Sequence, residues 1–370
     1  MGNRTLHCLR AAAAGLSLWI ASGLAPANAA EFGETSVFAQ IPVTDAFPDG
    51  FPEGIAVKGN KVYVAGPAIA GTSVNNHPSK VFEFDRNSGA LLRTIRTVGE
   101  TVLGAEHANT TVAFDGNGRL YVVNSQLGIY RLDLPSATQT SYSSPLPDLP
   151  PCLLGLLGPA CAPSPAGVVM PPLPNDLAFD DNGYAYVTDS TQATIWRIPP
   201  GGGAPQIWFQ DSRLGSAYIG VNGLRLSPDR SKVFITVTID PLVQGYVYTL
   251  PLVTTPKAAD LRVFHHYPSG GPDGLTFGAS GRLYVMMAEP GFSGISILNP
   301  DGSEYARLQN SALNLLAPYD SPANLAFDGH GNALVTNHAY ATGNVLPQQF
   351  RVIRVFVDDT ASPLATPHLP

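Results

Sequence analysis

One strand–turn–strand pattern occurs six times along this chain. Its clearest copy is "PNDLAFDDNGYAYVTDS", beginning at Pro174. The others are "PEGIAVKGNKVYVAG" from Pro52, "NTTVAFDGNGRLYVVNS" from Asn109, "VNGLRLSPDRSKVFITVT" from Val221, "PDGLTFGASGRLYVMMA" from Pro272 and "PANLAFDGHGNALVTNH" from Pro322. Each alternates apolar residues, breaks at a polar turn carrying Gly or Pro-Asp, and alternates again, which is a hairpin signal. Equivalent positions fall at 53, 110, 175, 222, 273 and 323, so the spacings are 57, 65, 47, 51 and 50. A repeat near fifty residues made of strands reads as a β-propeller blade. A β-sandwich would not require six equivalent motifs.

The rest of each unit supplies further strands. A third follows in "KVFEFD" (80–85), "TIWRIPP" (194–200) and "GYVYTL" (245–250), and a fourth in "QIWF" (206–209) and "LRVFHH" (261–266). The sixth unit stops after its third strand, at residues 350–357. The missing strand is expected in "SVFAQI" (36–41), which would pair the two chain ends in one blade and close the ring without exposed sheet edges. Composition agrees: with 13% charged residues, Gly 37 and Pro 34, short strands and tight turns are favoured over long helices. The expected fold is all-β, a single six-bladed β-propeller domain over residues 30–370.

Residues 1–29 read as a signal peptide. Arg4 and Arg10 precede an apolar run, and Ala27-Asn28-Ala29 offers small residues for cleavage. The run is short for a membrane span and no later one qualifies, so the expected location is secreted or periplasmic. Cys8 would leave with this segment. Cys152 and Cys161 remain, in "PCLLGLLGPAC", and two cysteines in an exported chain favour a disulfide. A net charge of −7 with scattered Lys and Arg argues against a nucleic-acid partner.

In a propeller the first strand of each blade lies innermost, so the residues that begin those strands gather around the axis. Here they are Glu53, Thr110, Asn175, Asn222, Asp273 and Ala323. Four are oxygen donors suited to one hard divalent cation: the carboxylates of Glu53 and Asp273 and the amides of Asn175 and Asn222. Ca²⁺ matches that set best, with Zn²⁺, Mn²⁺ or Mg²⁺ as alternatives. Asp176, one residue deeper, is expected to stand behind the ligands. Asn and Asp also cap turns; the shared register in different blades is what separates a ligand set from turn chemistry.

With "PEG" at Glu53, "PND" at Asn175, "VNGLRLSPD" at Asn222 and "PDG" at Asp273, in that order, the chain resembles the senescence marker protein/regucalcin/gluconolactonase family over nearly all of its length after the leader. The resemblance implies a six-bladed propeller with one divalent metal in the channel. It implies hydrolysis of a lactone or related ester, with Asp273 on the metal and acting as general base and Glu53 mainly a ligand. Gluconolactonases of this kind carry an Arg shortly before the Asn-Asp to hold sugar hydroxyls, whereas here "PPLPND" places Leu173 there. The fifth motif runs into "TFGASG" instead of an acidic turn. The expected substrate is therefore a moderately apolar small-molecule lactone or ester. Paraoxonases and strictosidine-synthase-like proteins share the architecture and match less well. Paraoxonase-like lactonases use a His in the second-blade motif, where this chain has Thr110.

An insertion at 135–174, dense in Pro and Leu, ends at Asn175. It is read either as an apolar lid over the channel mouth or as a loop bracing the blade interface. His77, His107, His266 and His338 are candidates for the same face. His107, Thr110, Leu173 and Ala323 are the expected substrate-facing positions. No Gly-x-Ser-x-Gly elbow or His/Cys zinc spacing occurs. The rival readings are a non-catalytic calcium-stabilised propeller that binds a ligand or protein, and another metal-assisted reaction, isomerase or lyase, on the same scaffold.

Overall fold

The computed structural model describes residues 30–45, 49–68, 78–101, 108–134, 136–152, 161–163, 171–216, 218–240 and 242–370. The leader and two expected site histidines, His77 and His107, lie outside the described residues. Phe32–Pro370 form one compact unit of six four-stranded sheets. Among the described residues three short 3₁₀ turns interrupt the strands, and no helix is long and apolar enough to cross a membrane.

The innermost strands are Ile55–Lys58, Asn109–Phe114, Pro174–Phe179, Val221–Leu226, Pro272–Phe277 and Pro322–Phe327, for blades one to six. Five blades run from inner to outer strand in chain order. In blade six the outer strand is Thr35–Gln40, antiparallel to Arg351–Phe356, so the two ends of the unit share one sheet. The six-bladed β-propeller expected from the repeat is the fold, and the closing strand begins one residue before the expected segment.

Both faces of every blade are buried, because alternate side chains of a strand point to opposite faces. The core is accordingly six separate layers, one per blade interface. Four interfaces repeat one contact. An aromatic residue of the second strand meets the inner-strand Phe of the next blade edge-on: Tyr63–Phe114 at 5.2 Å, Tyr121–Phe179 at 5.1 Å, Phe234–Phe277 at 5.0 Å and Tyr284–Phe327 at 5.1 Å between centroids. Such pairs add about 0.5–1.5 kcal/mol each beyond area burial.

The 135–174 insertion is less irregular than its composition suggested. Thr138–Ser141 within it is the outer strand of blade two. Leu146, Leu149 and Ala162 are buried beside Tyr121, Phe179 and Trp196 in the layer between blades two and three. Gln192 ties the segment down, accepting from Leu149 N–H and donating to the Pro147 carbonyl. Cys152 and Cys161 are disulfide-bonded. These described residues brace the blade interface, and the leucines and valines expected to form a lid fall at 153–160 and 164–170, outside the described residues.

After blade six the chain continues as a strap across the end of the channel opposite the ring of expected ligands. Thr360 and Phe277 exchange backbone bonds with Ala279 and Ser362. Arg230 donates to the Pro363 carbonyl, and Arg119 and Asn117 donate to the Leu369 carbonyl. Beneath the strap a cavity of about 360 Å³ is walled by the inner strands. The strap also restores something blade five lacks. In blades two and three the turn carboxylates Asp115 and Asp180 accept from Tyr121 and Tyr186 of the following strand. Blade five has Gly278 at that turn, and Asp359 of the strap takes the carboxylate's place, accepting from Ser280 and from Tyr284 Oη at 2.9 Å. A Cβ on Gly278 would lie 2.1 Å from Asp359 Oδ2, so the missing side chain makes room for the substitute.

Candidate active site

A one-residue irregularity opens nearly every inner strand. The register slips between Pro174 and Leu177, Val221 and Leu224, Pro272 and Leu275, Pro322 and Leu325, and, one residue shorter, between Asn109 and Thr111. A bulge leaves residues unpaired and re-aims their side chains. Here it frees the backbone at Asn175, Asn222 and Asp273 from the ladder.

Threonines on the second strands collect the freed groups. The N–H of Asp176 donates to Thr188 Oγ1, that of Gly223 to Thr236 Oγ1 and that of Asn324 to Thr336 Oγ1. Each hydroxyl in turn donates to a carbonyl of the next blade: Asn222 O, Asp273 O and Glu53 O respectively. Three of the four expected ligands are thus held through their carbonyls by the preceding blade. Close approach of neighbouring strands is permitted by the glycines that follow Glu53 and Asp273. A Cβ on Gly54 would sit 2.3 Å from Thr111 Cα, and one on Gly274 would sit 2.6 Å from Ala323 O.

The ring residues open onto a cavity of about 430 Å³ lined by Glu53, Thr110, Asn175, Asn222 and Asp273. Leu173 also lines it, its N–H held by Asp189 Oδ1 at 3.0 Å. Ala323 does not line it, and blade six instead presents Ser321 and His338. His266 lies far out, on the outer strand of blade four, bonded to Gln244.

Hydrogen bonding fixes which atoms face the cavity. Thr238 Oγ1 donates to the Pro272 carbonyl and accepts from Asn222 Nδ2, both at 2.9 Å. Asn222 therefore turns Oδ1 away from Thr238, and that buried oxygen has no hydrogen-bond partner; nor do Asp273 Oδ1 and Thr110 Oγ1. Buried polar atoms are rarely left so. Asp176 is the opposite case. It accepts from Thr111 Oγ1, Leu177 N–H, Leu224 N–H and Arg225, bridging blades two, three and four just below the ring.

Three buried carboxyls raise the cost of charge here. Burial, then Asp273 and Asp176 nearby, push the Glu53 carboxyl well above its ordinary range. Burial and Asp176 push Asp273 up to about 8, partly offset by the Gly274 N–H and the Asn222 amide. Two carboxyls that resist ionisation, beside unpartnered carbonyl and carboxyl oxygens, are the environment a divalent cation relieves. The donor set, all oxygen, fits a hard cation. Among the described residues no group of three or more His, Cys, Asp or Glu side chains has metal-binding geometry; this set combines two carboxyls with two amides.

His338, Tyr218 and Tyr340 complete the cavity. His338 Nε2 lies 2.6 Å from the Ala68 carbonyl and 3.7 Å from Glu53 Oε2. Burial lowers its pKa, against the opposing pull of the Ala68 carbonyl and Asp320, so the neutral ring donates from Nε2. No motif sets His338 above the other candidate histidines, and the two tyrosines occupy loops without a repeat to mark them. The threonine locks did leave a trace: "YVTD", "FITV" and "LVTN" carry Thr at one register of the second strand.

Residues 172–336 match the family described as the SMP-30/Gluconolactonase/LRE-like region. A comparison with curated proteins finds no match. Among solved structures, regucalcin from Agrobacterium tumefaciens, a calcium-binding protein, superposes with a TM-score of 0.59 at 15% identity, covering 89% of this chain and 95% of that one. A gluconolactonase from Xanthomonas campestris superposes with a TM-score of 0.53 at 15% identity, covering 87% and 89%. A luciferin-regenerating enzyme gives 0.55 at 13% identity, covering 86% and 95%. At these identities the likeness is one of fold.

Proposed function

We propose, for a chain whose residues 172–336 match the SMP-30/Gluconolactonase/LRE-like family, that it hydrolyses a lactone or related ester with the help of one divalent cation, Ca²⁺ by preference. The observation that carries the reading is the convergence of Glu53, Asn175, Asn222 and Asp273 on one cavity, with Asn222 Oδ1 and Asp273 Oδ1 buried and unpartnered there. These four residues would hold the cation. When bound, it would polarise the substrate carbonyl and stabilise the negative charge that develops on its oxygen.

The chain's own part is positioning and proton transfer. Asp273 is the general base, taking a proton from the attacking water. Asp176, held by four donors, ties together the inner strands that carry the ring. Much of the wall around the floor is apolar, with Leu173, Ile219, Ile239 and Pro290, and Glu289 also lines it. They exclude water from the reacting carbonyl and suit a moderately apolar substrate. Export to an oxidising compartment, consistent with the leader-like segment and the Cys152–Cys161 disulfide, is part of the same proposal.

The test is a panel of lactones and esters assayed with metal-stripped protein and with protein reloaded with Ca²⁺, Zn²⁺ or Mn²⁺. Turnover that returns with the cation supports the reading. A cation that raises thermal stability while no substrate turns over would instead favour a calcium-stabilised binding propeller.

A further inference from the structure

The polar floor of the cavity is matched at its mouth by an aromatic bar. Tyr218 leaves the loop that enters blade four, and Tyr340 leaves the loop between the second and third strands of blade six. Their hydroxyls meet at 3.2 Å, 122 residues apart in sequence, spanning the side of the ring that blade five occupies. Both line the cavity, yet they are 60% and 52% exposed. The His338 ring lies behind Tyr340, nearly parallel to it at 20°.

Two large exposed rings on separate loops would ordinarily sample several rotamers. The hydroxyl bridge pins both at once, so little ordering entropy is left for a ligand to lose. Below the bar Leu173, Ile219, Ile239 and Pro290 make apolar wall, and among the described residues Glu289 is the one carboxylate of the lining besides Glu53 and Asp273. A substrate oriented by its carbonyl at the floor therefore extends its substituent past apolar walls to the two rings. A flat apolar group there gains ring contact. A polyhydroxylated group loses solvent and gains few partners, since the two tyrosine hydroxyls are paired with each other.

We propose that Tyr218 and Tyr340 are the specificity-determining residues of this site and that they select lactones or esters bearing an aryl or similarly flat unsaturated ring. The proposal rests on the hydrolase reading for its reaction, but the ring contact it invokes can be measured without turnover.

The experiment compares the wild type with Tyr340→Ala, Tyr218→Phe and Tyr340→Phe. Hydrolysis of a phenyl-substituted butyrolactone is measured against gluconolactone, and binding of the corresponding non-hydrolysable phenyl lactam is measured by calorimetry. Tyr340→Ala is expected to lower the kcat/KM ratio of the phenyl compound to gluconolactone about tenfold, mainly through KM, and to weaken lactam binding by about the same factor. The Phe variants keep the rings, lose only the bridge and guard against misfolding; about a two- to threefold loss is expected. An unchanged ratio, equal losses on both substrates, or no lactam binding by the wild type would overturn the proposal. If the wild type hydrolyses neither lactone but binds the lactam through Tyr340, the hydrolase reading falls and the aromatic bar stands.

Discussion

Thr336 of blade six donates its hydroxyl to the backbone carbonyl of Glu53 in blade one, at 2.6 Å and across 283 residues of sequence. The same oxygen accepts from Asn324 N–H. One hydroxyl thereby satisfies the bulge of its own blade and fixes a floor residue of the next, at the seam where the ring closes.

Replacing Thr336 with Val keeps the volume and removes the hydroxyl. The Glu53 carbonyl and the Asn324 N–H then stay buried without this partner, a loss of about 1–3 kcal/mol. Urea denaturation should show that loss, and Ca²⁺ titration should show weaker binding because Glu53 is less firmly placed. Thr236→Val should behave alike through Asp273. A change below about 0.5 kcal/mol in both would mean that the locks are incidental.

Asp273→Asn keeps a carbonyl oxygen and loses the ability to take a proton. Turnover is expected to fall about 10²–10⁴-fold with the fold retained. Cation occupancy must be measured in the same samples. Near-normal rates at full occupancy would remove Asp273 as the base.

The raised Asp273 pKa, about 8, carries a pH signature. An unfolded carboxyl ionises near 4, so between roughly pH 4 and pH 8 the cation-free folded protein holds a proton that the unfolded chain has released. The unfolded state binds fewer protons there, and stability at this site falls as pH rises through the window. With Asp273 as a ligand, Ca²⁺ would take the proton's place. The rise in Tm on adding Ca²⁺ should therefore grow between about pH 5 and pH 8. A rise that is constant, or larger at the acid end, counts against Asp273 as a ligand.

Gly278 and Asp359 offer a double-mutant cycle. Asp359→Ala removes the acceptor for Ser280 and Tyr284, at a cost of about 1–3 kcal/mol. Gly278→Asp alone collides with Asp359. Together the two changes move the carboxylate to the position blades two and three use, and most of the stability should return. Additive losses in the double variant would show that the strap's carboxylate does not replace the turn's.

The ring register was legible because each blade spends its first inner position on the same task, so Glu53, Asn175, Asn222 and Asp273 stand out by equivalence alone. The closing strand was legible by counting. What escaped notice had no repeat to betray it. Tyr218 and Tyr340 sit in loops of unequal length, and only folding brings them to one mouth with His338, which no motif ranked above the other candidate histidines. Ala323 shared the register but does not line the cavity, its side chain being a single methyl group. The strap, "DDTASPLATPHLP", has neither strand nor helix periodicity, and the departure at "TFGASG" made sense only once Asp359 was found beside it.

The closing blade also sets an order of events during synthesis. Thr35–Gln40 leaves the ribosome ahead of every other strand of the ring, and its partner Arg351–Phe356 leaves last. The earliest strand must therefore wait, unpaired, while more than five blades are made behind it. It is short, and Thr35, Ser36 and Gln40 give it polar side chains on both faces, which keeps that waiting edge from pairing elsewhere until the final turn of the circle arrives to claim it.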